Sequence, residues 1–202
     1  MKKFVPAFQF CPCWLPLMAV LFVPALAQAH PGFPGHNHGL ANGLMHPLTG
    51  LDHLCAMVAI GLWAAQCGGR AFWVVPSVFV SVMILGAILG MAGVSVSFVE
   101  PGIVASVLVL GVMIAAAVRL PLVASGLMAG AFAVCHGYAH GAEMPASASG
   151  LIYGLGFVST TVGLHVLGIG LGLTAQRLGS TRLVRYAGGA IAACGVYLCI
   201  AA

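Results

Sequence analysis

Six long apolar segments dominate the chain, at about 44–66, 71–93, 101–118, 121–142, 150–175 and 186–202. A helix needs ~20 apolar residues to cross a bilayer, with a range of ~17–25. All six reach that range, the last only just. Strands of a membrane barrel would be half as long and would alternate in polarity. The pattern therefore predicts an all-α integral membrane protein, a bundle of six transmembrane helices in a domain spanning 44–202. A shorter apolar stretch, Trp14 to Val23, precedes the bundle, with Lys2 and Lys3 before it and Pro24 after it. Ala27-Gln28-Ala29 then supplies an A-x-A cleavage site, so residues 1–29 read as a cleaved secretory signal. Residues 30–43 form a leader rich in His, Gly and Pro, without apolar periodicity. It is expected outside the membrane and disordered or loosely docked.

Composition strengthens the membrane reading. The 202 residues are 61% hydrophobic and 5% charged, against ~25% charged in soluble domains. Lipid must be the solvent for most of this surface. No basic run offers a nucleic-acid footprint. The cysteines are odd in number and scattered, which is no disulfide framework.

The few charges fix an orientation. Arg70, Arg119 and the group Arg177, Arg182 and Arg185 fall in alternate connections between segments. The positive-inside rule places all of them in the cytoplasm. Both ends of the mature chain then lie outside, as the signal segment independently requires. Glu100 and Glu143 fall at the external side, and Glu100 reads as an interfacial charge. Small residues repeat at four-residue spacing at Gly86/Gly90, Gly126/Gly130 and Gly150/Gly154, which suits close helix approach within one chain or between copies. A homo-oligomer stays open.

Two polar clusters interrupt the apolar pattern: His46-Pro47-Leu48-Thr49-Gly50-Leu51-Asp52-His53 and Cys135-His136-Gly137-Tyr138-Ala139-His140-Gly141-Ala142-Glu143. On a helix His136, His140 and Glu143 share one stripe. His46 and His53 would lie two turns apart on one face, with Asp52 beside them. Given the topology, both clusters sit near the external side, His53 and His136 each ~10 Å deep. Ionisable groups within a span cost about 2.5–3.5 kcal/mol each and are functional by default. Four imidazoles and two carboxylates make a suitable site for a divalent transition metal. His46, Asp52, His53, His136, His140 and Glu143 are therefore the candidate ligands. His30, His36 and His38 in the leader are candidates for metal capture. His165, deep in the fifth segment, reads either as an inner step on a cation path or as a packing histidine bonded to Thr160, Thr161 or a backbone carbonyl.

At these two clusters the chain resembles the HupE/UreJ family of membrane proteins. The family's H-P-x-x-G-x-D-H motif is matched in full at 46–53. Its F-H-G-x-A-H-G-x-E motif is matched at 135–143 except for the leading Phe, here Cys135, which sets a thiol beside the site. The resemblance covers essentially the whole chain. It implies a secondary permease for nickel or cobalt in the bacterial inner membrane, with periplasmic termini, supplying hydrogenase or urease maturation.

The leading reading is a permease rather than an enzyme. The transported Ni²⁺ or Co²⁺ is its substrate, and no cofactor is permanently bound. No G-x-x-x-x-G-K-[ST] loop occurs, so this chain would not hydrolyse ATP. Two alternatives stay open. An intramembrane metal-dependent hydrolase could use the His136/His140 pair, although the H-E-x-x-H order is absent because position 137 is Gly. A non-transporting metal sensor or maturation partner would keep the site and lack the flux.

Overall fold

The structure, a computed structural model, describes residues 38–144 and 149–201. Seven helices and no strand occur among them: α1 (His38–Thr49), α2 (Leu51–Cys67), α3 (Ala71–Met91), α4 (Val99–Ala115), α5 (Leu122–Ala142), α6 (Gly150–Arg177) and α7 (Thr181–Ala201). The signal segment, His30 and His36 lie outside the described residues. α1 already begins at His38, upstream of the apolar segment predicted from 44.

The all-helical membrane class holds, and the helices that qualify as spans by length and composition number four, or five with one bent pair. Helices α3, α5, α6 and α7 are each long and apolar enough to cross a bilayer, and α1 and α2 together make a fifth candidate, bent by 80°. With 17 residues, α4 rises ~25 Å, somewhat less than the ~30 Å hydrocarbon core.

One uninterrupted helix through 44–66 does not form. Pro47 lies near the end of α1 and has no N–H to continue the helix ladder. Gly50 then takes an extended conformation, φ −92° and ψ 121°. The ladder restarts when the Leu54 N–H donates to the Gly50 carbonyl at 2.9 Å. His46 and His53 thus belong to different helices and share no helical face.

Helix α2 is the axis of the bundle. Residues Cys55 through Ala65 are all buried, as expected of a helix apolar on every side. Helices α3, α4, α6 and α7 pack directly on α2, while α5 closes the ring between α3 and α4. The outward faces carry exposed Trp73, Leu127, Leu151 and Ile200, an apolar surface suited to lipid.

Glycine sets the closest crossings. A Cβ at Gly137 or Gly141 on α5 would collide with the backbone of Met83 or Ala87 on α3, and Gly86 and Gly90 meet α5 from the other side. Without a hydrophobic driving force between helices in lipid, such backbone approach supplies much of the packing. Of the three four-spaced pairs, Gly86/Gly90 alone lies in such a crossing. Gly126 faces open space, Gly130 makes ordinary contact with Val78 and Val82, and Gly150 meets the sulfurs of Met91 and Met144.

Charge separates along the axis. Asp52, Glu100 and Glu143 line one pocket of about 200 Å³. Gly68, Arg119 and Arg185 line a cavity of about 380 Å³ at the other end of α2. Helix α4 therefore runs the whole way between the two ends, from Glu100 to the Arg119 turn.

Gly137→Ala is expected to destabilise the purified protein by about 1–3 kcal/mol, because the packed backbone must move. Gly126→Ala, with nothing nearby, should be neutral. Thermal unfolding in detergent would compare the two, and equal effects would contradict the crossing.

Candidate metal site

The second motif carries two stripes. His136 and His140 point one way along α5, and the glycines that follow them, Gly137 and Gly141, face α3. The glycines seat α5 against α3 while the imidazoles project toward α2, on which α5 does not pack closely. Side chains fill that gap. His53 reaches in from α2, and the bend at Gly50 swings His46 over from α1.

The four rings converge. Ring centroids lie 4.8 Å apart for His46 and His140, 4.6 Å for His53 and His140, and 4.8 Å for His53 and His136. His136 and His140 are fully buried, and His53 is 8% exposed. The rings meet edge to face, with His140 stacked on Phe157. Among the described residues no three His, Cys, Asp or Glu side chains already aim donor atoms at one point in the manner of a formed metal site. The imidazoles themselves fill the centre, so holding an ion requires ring rotation.

Hydrogen bonds set the tautomers. The Ser106 hydroxyl on α4 donates to the Ile103 carbonyl at 2.6 Å. Its oxygen is then left to accept from His136 Nε2–H at 2.9 Å, so Nδ1 carries the lone pair, and Nδ1 has no partner. His53 Nδ1–H donates to Asp52 Oδ1 at 2.9 Å, and the lone pair on Nε2 is likewise unpartnered. Both nitrogens of His140 lack partners. A buried, unsatisfied polar atom costs about 1–3 kcal/mol, so this cluster carries an open demand for a ligand. A carboxylate that orients a ligating histidine through its other nitrogen is a recurrent arrangement at metal sites.

Above the rings, His46 Nε2 lies 3.1 Å from Glu143 Oε2. That hydrogen bond holds the Glu143 carboxyl below its usual range, against the opposing effect of partial burial. The pocket mouth is completed by Thr49, Asp52 and Glu100. All three acidic side chains of the chain thus share one pocket.

The structure thus gathers His46, Asp52, His53, His136, His140 and Glu143 at one end of the bundle. It places His165 apart, deeper in the bundle. His38 opens α1. Cys135 turns its sulfur to Gly102 on α4, so the one departure from the motif packs against a helix. Cys55 and Cys194 are free thiols, and Cys55 Sγ donates to Cys194 Sγ at 3.7 Å.

Three residues at the site escaped the sequence reading. Glu100 looked like an interfacial charge, though its rarity in an apolar chain was a usable signal. Ser106 is one small polar residue in an apolar segment. Tyr153, whose ring lies 6.1 Å from His46, is an aromatic within an apolar segment and belongs to neither motif.

Comparison with known proteins finds a family match over almost the whole length. The family model described as HupE / UreJ protein matches residues 18–198. Protein HupE of Rhizobium leguminosarum bv. viciae is 42% identical over 183 residues, covering 91% of this chain and 95% of the relative. No solved structure matches. On the family match and this relative together, the chain belongs to the HupE/UreJ family.

Proposed function

We propose that the protein is a secondary permease that imports Ni²⁺, or Co²⁺, across the bacterial inner membrane and feeds hydrogenase or urease maturation. The observation that carries this reading is the imidazole cluster: buried ring nitrogens, oriented by Ser106 and Asp52 and left without partners, below a mouth lined by every carboxylate of the chain. Family membership supports the choice of cargo.

In this reading the bundle crosses the membrane six times, with α4 counted as a span because it joins the carboxylate end to the arginine end. The carboxylate end faces the periplasm and the arginines face the cytoplasm, in keeping with the positive-inside rule. His30, His36 and His38 collect metal ahead of the mouth. Glu100 and Glu143 draw the cation in, and His46 yields its bond to Glu143 as the ion arrives. Rotation of the rings then presents His53 Nε2, His136 Nδ1 and His140 to the metal. Asp52 acts by holding His53 rather than by binding the ion directly. An inside-negative potential favours inward movement by about 2.3 kcal/mol per charge per 100 mV.

A host lacking its own nickel importers should accumulate radiolabelled nickel at sub-micromolar concentration when it makes this protein. His136→Ala should reduce uptake to background. Asp52→Ala should weaken metal affinity about 10–100-fold, the usual cost of losing an orienting partner. Background uptake of both nickel and cobalt by wild type at normal membrane levels would contradict the permease.

Glu100→Gln should raise the half-saturating concentration several-fold at low ionic strength and leave the maximal rate unchanged. Added salt should shrink that difference, because the effect is one of long-range attraction. A salt-independent loss of maximal rate would mean that Glu100 acts otherwise.

A further inference from the structure

His165 on α6 is 2% exposed, and among the described residues neither of its ring nitrogens has a partner. A neutral imidazole carries one donor and one acceptor, and leaving both unpaired inside an apolar bundle is costly. A histidine kept for packing would have taken a nearby hydroxyl. The two threonines four and five positions before it on its own helix are turned elsewhere: Thr160 donates to the Leu44 carbonyl at 2.8 Å, and Thr161 points to Met83 Sδ at 3.8 Å. The imidazole is kept buried and unsatisfied while two candidate partners are engaged by others.

Its position lies in line with the outer cluster. The His165 carbonyl packs against Gly61 of α2, eight positions beyond His53, a rise of ~12 Å along the axis. Phe79 of α3, fully buried, packs on both levels. Its ring lies 5.8 Å from His136 and 5.3 Å from His165, centroid to centroid. Further along α2 comes Gln66, whose amide nitrogen donates to the Ile114 carbonyl at 3.0 Å and whose buried oxygen has no partner. Gln66 lines the cavity at the arginine end. Unpartnered polar atoms therefore recur at intervals from the outer cluster to that cavity.

We propose that His165 is a second, inner station for the same divalent transition-metal ion, separated from the outer imidazoles by the ring of Phe79. This rests on the permease reading and extends it to the inner half of the route. The two stations differ in charge. The outer one has all three acidic side chains at its mouth, while the His165 ring packs against Phe79 and does not line that pocket. Binding is thus tight where the ion is captured and weak where it must be released, as conduction requires. Phe79 turns aside for the step between them and otherwise keeps the levels separate.

The test uses the full-length protein with nickel as probe, in cells and purified in detergent. His165→Leu should keep the wild-type dissociation constant for nickel, because the outer cluster is intact. It should unfold at a higher temperature, because an unpaired imidazole is gone. Its maximal uptake rate should fall by at least the ~10-fold that losing even an orienting partner costs a metal site. His165→Gln makes the same comparison if the leucine variant does not reach the membrane. Undiminished uptake by either folded variant overturns the inner station and leaves the permease standing. Wild-type uptake no greater than that of His136→Ala overturns the permease, and the inner station with it.

Discussion

An imidazole taken out of water brings two nitrogens that must both be accommodated, and lipid offers no substitute partner. This bundle buries four histidines and pairs them selectively. Ser106 takes the N–H of His136, and Asp52 takes the N–H of His53. In each case the bond fixes the tautomer and leaves a lone pair directed into the protein. His140 and His165 receive no partner at all. For His53 and His136, the division between a satisfied donor and an unsatisfied acceptor is the pattern expected where an electron-pair acceptor, a cation, is to be held.

The arrangement depends on how the helices approach. Gly137 and Gly141 let α5 lie against α3 backbone to backbone, which fixes the direction in which His136 and His140 project. Gly50 and Pro47 break the first span, so that His46 arrives at the cluster from outside the axis of α2. Motif glycines and motif histidines thus have separate tasks within the same few turns. A change to either would disturb the site, one by moving the helix and the other by removing a nitrogen. The carboxylates sit above the rings and remain partly solvated, where they can attract a cation without the full cost of burying a charge.

Much of this was legible in the sequence, for identifiable reasons. Apolar length gave the helical membrane class and nearly all of the helix positions. The alternation of arginines agrees with the segregation of charge to two ends. The His136/His140 stripe followed from helical spacing alone. The break at Gly50 was not legible, since Pro and Gly are tolerated in many spans and only the packing of α1 on α6 shows what the bend accomplishes. Ser106 was invisible because its role depends on which helix stands opposite α5. Glu100 was misread because a carboxylate at a helix start has a sufficient local explanation until the third acid is seen to share the pocket of the other two. The leader histidines His30 and His36 fall outside the described residues.

The proposed permease stands on the unpartnered imidazole nitrogens being what the metal binds. X-ray absorption on the purified, nickel-loaded protein tests it most directly, because imidazole rings leave a characteristic multiple-scattering signature. Nitrogen ligation by more than one imidazole is expected, reduced in His140→Ala and lost as tight binding in the double variant that also carries His136→Ala. Nickel coordinated by oxygen alone, or a spectrum unchanged when both histidines are removed, would contradict it.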